Sequence, residues 1–159
     1  MNIGYVYKQQ GNKNLAVENL LNAKKELMNA LQYNENYHLP YNNLANINRN
    51  LLEIMIGIRY FYEDYNNISF DGLNGEEIKK VNNYIKESYS YLNKSIDIEP
   101  NFIDNYYNVA TFYLYNYLLE NKKDKKYIKK AKAMLQKAEN INPQARKLMI
   151  IKEIIYQFS

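Results

Sequence analysis

The sequence predicts an all-α domain that spans residues 1–159, and three observations lead to this prediction. Apolar residues recur every three or four positions over almost the whole chain, which is the period of one buried helix face. The five glycines and three prolines are few, and they fall between the helical stretches. A small residue that leads into a polar turn recurs three times, at residues 30–37, 95–102 and 138–145.

The apolar periods divide the chain into seven predicted helices. Two of them precede residue 37, and the third begins at the turn that contains Pro40, since the first turn of a helix tolerates the missing N–H of proline. The third helix is predicted to run to about Asp64. Its apolar face consists of Leu44, Ile47, Leu51, Ile54, Ile58, Phe61 and Tyr65.

Residues 66–75 are rich in Asn, Asp and Gly and are predicted to form a loop. Four more helices follow that loop. Glu76 and Glu77 open the fourth helix, where carboxylates complement the positive end of the helix dipole. The fifth helix follows Pro100, the sixth follows a lysine-rich connection, and a terminal helix covers residues 145–158.

Small and aromatic residues recur at fixed spacings in these helices. The motifs are Ile3-Gly4-x2-Tyr7 with Ala16-x3-Leu20, Tyr41-x2-Leu44-Ala45 with Ser88-x3-Leu92, and Tyr106-x2-Val109-Ala110-x2-Tyr113 with Ala131-x3-Leu135. This arrangement resembles the tetratricopeptide repeat, in which an aromatic-x2-Leu-Gly-x2-Tyr helix precedes an Ala-x3-Phe helix. The resemblance implies a right-handed α–α superhelix, a solenoid, of about three helix pairs at residues 1–37, 38–102 and 103–144, followed by the terminal helix.

The repeats depart from the family pattern in length. A family repeat takes about 34 residues, whereas Pro100 and Pro143, which close successive repeats here, are 43 positions apart. The second repeat contains both the overlong third helix and the loop at residues 66–75. We interpret this loop as a tolerated surface insertion, and the alternative is that the long helix makes the groove irregular.

The resemblance also implies a function, namely a non-catalytic module that binds a peptide or protein partner in a concave groove. The first helix of each repeat lines that groove in the family. The positions that match are Tyr5, Asn42, Asn43, Asn46, Arg49, Tyr107, Asn108, Thr111 and Tyr115. Amides supply donors and an acceptor to a peptide backbone, and tyrosines supply flat apolar area with a polar tip. The competing interpretation is that codon usage in an AT-rich genome places asparagines on any wet surface.

Two other functions stay open. The terminal helix is apolar around more than half of its circumference, whereas the last helix of a stack should present a polar outer face. A homo-oligomer would then form through Leu148, Ile151, Ile155 and Phe158. The second alternative is weak binding of nucleic acid or an anionic surface through a lysine cluster between Lys122 and Lys132, near Tyr117 and Tyr127. Added salt would abolish such binding.

The sequence predicts no enzymatic activity, no cofactor and no metal. Cysteine is absent, and the single histidine, His38, stands in a turn without a second histidine to complete a metal or nucleophilic site. Nucleotide-binding and metalloprotease motifs are also absent. The carboxylates of Glu53, Glu63 and Asp64 are interpreted as solvated charges on the long third helix.

A cytoplasmic protein is predicted. Residues 1–10 lack the basic start and apolar core of a signal peptide. The most apolar run, residues 51–62, contains Glu53 and Arg59 and is too short to cross a bilayer.

Overall fold

The computed structural model describes residues 12–159, and every regular element in that range is helical. The α-helices are α1 (Lys13–Tyr33), α2 (His38–Met55), α3 (Phe61–Asp64), α4 (Gly75–Ile98), α5 (Ile103–Leu119), α6 (Lys126–Ile141) and α7 (Arg146–Gln157). A single 3₁₀ turn (Tyr65–Asn67) follows α3. The all-α prediction is confirmed for this range, whereas the first predicted helix and Tyr5 lie outside the described residues.

Asparagine side chains cap two of the helices at their first turn. Asn12 Oδ1 accepts a hydrogen bond from the Leu15 N–H at 3.2 Å, at the start of α1. At the start of α4, Asn74 Oδ1 accepts from the N–H groups of Glu76 and Glu77, while the Glu77 carboxylate accepts from the Asn74 N–H at 2.9 Å. This reciprocal capping box satisfies donors that a helix start would otherwise leave unpaired. Both glutamates occupy the first turn, as predicted.

The third predicted helix was drawn too long, because α2 ends at Met55 rather than near Asp64. Gly57 adopts a φ of 77°, in the left-handed region that favours glycine. The Gly57 N–H donates to the Ile54 carbonyl and the Ile58 N–H to the Glu53 carbonyl at 3.0 Å, a pair of bonds that closes a helix end. The apolar spacing continues through this break, and the sequence pattern therefore concealed it.

The helices pack in sequence along the chain. The most extensive contacts join α2 to α4 and α5 to α6, and contacts of α1 with α2, α4 with α5 and α6 with α7 connect these pairs. Helix α5 also contacts α2 and α7. The small residues of the repeat motifs are completely buried, namely Ala16, Ala45, Ser88, Ala110 and Ala131. Short side chains allow helix axes to approach closely, and their burial agrees with the sequence prediction.

Helix α5 lies at the centre of the core. Thirteen of its 17 residues are buried, which is typical of a helix covered on all sides. The segment between α2 and α4, residues 56–74, contributes Ile58, Phe61 and Ile68 to the same core. Of the loop predicted at residues 66–75, Ile68 is buried and Phe70 and Leu73 pack partly against the core, whereas most of its other residues are exposed.

Candidate interaction site

Polar side chains meet where α2 packs against α5, on the faces that the repeat motifs assign to the groove. We call this set the α2–α5 seam, and it consists of Asn42, Asn46, Arg49 and Glu53 from α2 with Asn105, Tyr107, Asn108 and Tyr115 from α5. The four α2 residues follow one another at spacings of four, three and four, so they share one helix face. The helical period therefore explains why the seam is continuous.

The amides of the seam bind mainly one another. Asn42 Nδ2 donates to Asn105 Oδ1 at 2.9 Å, and Asn42 Oδ1 accepts from Asn46 Nδ2 at 3.0 Å and from Asn108 Nδ2 at 3.4 Å. Asn42, Asn105 and Asn108 are buried. The Asn105 Nδ2 atom is buried and has no hydrogen-bond partner among residues 12–159. A buried unsatisfied donor costs about 1–3 kcal/mol, so the seam is not optimised for stability at this point.

Charged and phenolic groups continue the seam beyond the amides. Arg49 Nη1 donates to Asn108 Oδ1 at 3.2 Å, and the buried Tyr115 hydroxyl donates to Glu53 Oε1 at 2.6 Å. Burial, reinforced by the nearby Glu53 carboxylate, raises the pKa of Tyr115 well above its usual value. Burial opposes the charge of Arg49, but Glu53 and the surrounding tyrosines outweigh that effect and raise its pKa. Glu53 is 4% exposed, so its interpretation as a solvated charge was wrong.

Residues 56–74 cover the α5 side of the seam. The ring of Phe61 packs edge-on against that of Tyr115, with 4.8 Å between centroids, and Phe61 is 1% exposed. The hydroxyl of Tyr107 donates to that of Tyr62. The Tyr65 hydroxyl donates to Gln157 Oε1 at 2.5 Å, which joins the same segment to the end of α7. The segment therefore covers the face of α5 on which the sequence analysis predicted an open groove.

The predicted groove residues fall into two groups. Asn42, Tyr107, Asn108, Thr111 and Tyr115 are buried in and beside the seam. Of the others, Asn43 is exposed and Asn46 and Arg49 are partly exposed. The second group lies on α2 alone, so the surface open to a partner within the described residues is narrower than the sequence predicted.

Sequence reasoning missed Glu53, Tyr62 and Asn105 as members of this site. Glu53 lies four residues after Arg49 and extends the α2 row by one further turn, a signal that the sequence contained. The sequence did not indicate a role for Tyr62. Tyr62 lies beyond the helix break at Gly57, and this break, which the apolar period concealed, allows its segment to pack against α5. Asn105 lies one position before the third repeat motif, so the motif gave it no role. It is buried on α5 and accepts the hydrogen bond from Asn42.

The terminal helix uses its predicted partner-binding residues internally. Leu148, Ile151 and Ile155 are 0–2% exposed and belong to the main core. The Phe158 ring lies 5.5 Å from that of Tyr117, measured between centroids. The prediction that these residues pair with another chain was therefore wrong, because they already pack against α5 and α6. The outer face of α7 instead presents Met149, Ile150 and Tyr156.

The lysine cluster surrounds the α5–α6 connection and extends along α6. The Lys122 ammonium lies 4.9 Å from the Phe158 ring centroid, and that of Lys130 lies 5.5 Å from Tyr113. Lys126 forms an exposed ion pair with Asp124 at 2.5 Å. Residues 120–137 hold eight lysines and two acids, a net charge of +6, whereas the rest of the chain carries −2. The net positive charge of the protein is thus concentrated in this region.

Other kinds of site are not found in the described part of the chain. No group of three or more His, Asp or Glu side chains in residues 12–159 is arranged to hold a metal ion. The His38 ring packs edge-on against Phe102, with 4.8 Å between centroids. Within the same range, no helix has the length and apolar content that a bilayer span requires.

Comparison with protein-family models, with curated proteins and with solved structures gave no match for this chain. The resemblance to tetratricopeptide repeats therefore depends on the motif residues quoted above.

Proposed function

We propose that this domain is a non-catalytic protein-interaction module that binds an extended segment of a partner protein along α2. The supporting surface is a row of partly or fully exposed residues, Leu39, Asn43, Asn46 and Asn50, beside the seam. These positions recur at spacings of four, three and four, so they form one continuous strip about three turns long. We call this strip the α2 row.

The packing pattern supports a solenoid in which helix pairs stack on one another. Each helix pair contacts the next through consecutive helices, and α5 contacts both α2 and α7, as alternate helices of a stack would. In a right-handed superhelix of this kind, α2, α5 and α7 line the inner surface. Residues 56–74 fill the inner surface at α5, which leaves α2 as the binding helix of the proposed groove.

The observation that carries the proposal is that two amides of the α2 row are already held in place. Asn42 of the seam accepts a hydrogen bond from the amide of Asn46 at 3.0 Å, and the amide of Asn50 donates to the Asn46 carbonyl at 3.0 Å. Side chains that are already ordered lose less entropy when a partner binds. The amides of Asn43, Asn46 and Asn50 follow one another along the α2 row. Each amide has donors and an acceptor that match those of an extended peptide backbone.

Peptide selection followed by affinity measurement tests this proposal. Peptides selected by display against the domain would be titrated by fluorescence anisotropy against the wild type, an Asn43→Ala, Asn46→Ala variant, and an Asn93→Ala control. Asn93 is exposed on α4. We expect the double variant to bind at least about tenfold more weakly, equivalent to about 1.4 kcal/mol, and the control to bind like the wild type. Equal affinity of all three proteins would reject the α2 row as the binding surface.

A second candidate function is favoured by the charge distribution described above. The net charge of +6 in residues 120–137 would attract an acidic polymer such as single-stranded nucleic acid. Lysines contribute point charges rather than the bidentate contacts of arginine, so binding would be weak and unspecific. Affinity for a labelled oligonucleotide should fall steeply as salt increases. A Lys126→Glu, Lys130→Glu variant should lose binding, and affinity that does not change with salt would reject this candidate.

A further inference from the structure

The outer face of α7 is apolar at its centre and carries opposite charges at its two ends. Met149 is 62% exposed, Ile150 is 42% exposed and Tyr156 is 63% exposed. Arg146 precedes this apolar centre and Glu153 follows it, and both are exposed. Spacings of three and four residues place all five side chains on one helix face.

The other two charged residues of α7 are already paired inside the molecule. Lys147 forms an ion pair with Asp104 of α5, and Lys152 Nζ lies 2.7 Å from Glu139 Oε1 of α6. These two pairs flank α7 and hold its inner face against the core. Neither Arg146 nor Glu153 forms a salt bridge with another residue of the described range, so their charges face outward beside the exposed apolar side chains.

Within residues 12–159 this face is left uncovered. Helix α7 packs against α5 and α6 on its inner side, and its outer face keeps Met149, Ile150 and Tyr156 exposed. Large apolar side chains grouped on one surface generally mark an interface. The charges at the two ends of the face indicate which partner it fits.

We propose that α7 pairs with α7 of a second copy of this chain, antiparallel about a two-fold axis that passes between Met149 and Ile150. In that arrangement Met149 meets the partner's Ile150, and Arg146 meets the partner's Glu153. The symmetry repeats each contact, so two ion pairs enclose four apolar side chains. A parallel pair would instead place Arg146 opposite the partner's Arg146, where like charges repel. The charge pattern therefore selects the antiparallel dimer.

The interface is small, and this sets the concentration at which the dimer forms. A helix of 12 residues is about 18 Å long, and one such pair buries less than the roughly 1,000 Å² typical of a stable complex. A dissociation constant in the micromolar range or above is therefore expected. Sedimentation equilibrium over a concentration series that extends to about millimolar covers this range.

The apolar centre is tested first. The wild type should show a monomer–dimer equilibrium, and Ile150→Glu should weaken dimerisation at least about tenfold by placing two like charges across the axis. The matched control is Met28→Glu, which changes a 49% exposed side chain of α1. A wild type that stays monomeric throughout would overturn the proposal and leave the face open to a helix of a different protein.

Charge reversal tests the antiparallel geometry. Arg146→Glu and Glu153→Arg should each weaken the homodimer about tenfold, because each places only like charges across the interface. An equimolar mixture of the two variants should dimerise like the wild type, since both ion pairs are then restored in the heterodimer. Both changes also suit the dipole of α7, with an acid at its start and a base toward its end, so the fold is retained.

Lys94→Glu, an exposed reversal on α4, is the control for a change in net charge. Dimerisation of the single variants at wild-type strength, or failure of the mixture to recover it, would overturn the antiparallel pairing.

Discussion

The α2–α5 seam buries polar side chains, whereas the outer face of α7 exposes apolar side chains. The seam places asparagines, a glutamate and tyrosines in the interior, where Asn42, Asn105 and Asn108 are at most 4% exposed. The α7 face places Met149, Ile150 and Tyr156 in solvent, at 42–63% exposure. Helices α2 and α7 each have an apolar period and α5 is buried on all sides, so the apolar period alone does not distinguish the two regions.

The difference shows that polar groups enter the interior where most of their hydrogen bonds are supplied there, and among the described residues Asn105 Nδ2 is the exception. Asn42 makes three bonds within the seam, and Tyr115 finds its acceptor in Glu53. No hydrogen bond can offset the exposure of an apolar side chain to water, because only a covering surface removes it from water. The seam therefore satisfies most of its polar groups within one chain, whereas the α7 face leaves its apolar side chains in water.

The largest expected difference concerns an apolar side chain in each region. Phe61→Ala should lower the free energy of unfolding by about 3–5 kcal/mol, because it opens a cavity against Tyr115 where residues 56–74 cover the seam. Ile150→Ala should change it by less than about 0.5 kcal/mol at a protein concentration that keeps the chain monomeric. Urea denaturation measures both values. Similar small losses for the two variants would mean that residues 56–74 do not belong to the core.

A glutamate in each region gives the next comparison. Glu53→Ala should cost about 3 kcal/mol, because the Tyr115 hydroxyl loses its acceptor and Arg49 loses the nearby carboxylate that favours its charge. Glu53→Gln retains an acceptor and should cost about half as much. Glu153→Ala, in the monomer, should cost less than about 0.5 kcal/mol. A neutral Glu53→Ala, measured by the same denaturation, would show that the seam contributes little to stability.

The sequence predicted the all-helical class and most of the helices well, because these depend on local patterns. Helix positions follow from the apolar period, and the burial of Ala45, Ala110 and Ala131 follows from the repeat motifs. The break after Met55 was missed because Ile58 and Phe61 continue the period on the far side of Gly57. A glycine within an apolar period can lie inside a helix or end it, and tertiary contacts decide between the two.

The site was harder to predict because exposure depends on contacts between distant segments. The motifs identified Asn42, Asn108 and Tyr115 as residues of one surface; the structure bonds Asn42 to Asn108 and places Tyr115 further along the same seam, against Glu53. Whether that surface is open depends on Phe61 and Tyr62, which pack against α5 from a segment without a repeat motif. No pattern within α5 indicates this cover.

The smallest expected effect of a single variant, taken per pH unit, is a change in how stability responds to alkaline pH. Burial, the largest cause, raises the pKa of both Tyr107 and Tyr115 in the folded protein. Above pH of about 10, the usual tyrosine pKa, the unfolded chain releases these protons while the folded chain keeps them. The stability that the protonated tyrosines contribute is therefore complete below that pH and is lost as the pH rises above it. Each tyrosine makes the free energy of unfolding fall by about 1.4 kcal/mol per pH unit.

Tyr115→Phe should reduce this slope by about 1.4 kcal/mol per pH unit, because one proton fewer is released on unfolding. The slope isolates the titration from the hydrogen bond to Glu53, whose loss lowers stability by a similar amount at every pH. Tyr107→Phe should reduce the slope by a similar amount, since burial also raises the pKa of Tyr107. Urea denaturation at several pH values above 10 measures the slopes. If Tyr115→Phe has the wild-type slope, the Tyr115 hydroxyl reaches water in the folded protein and the seam is open on the α5 side, where Phe61 would then fail to exclude solvent.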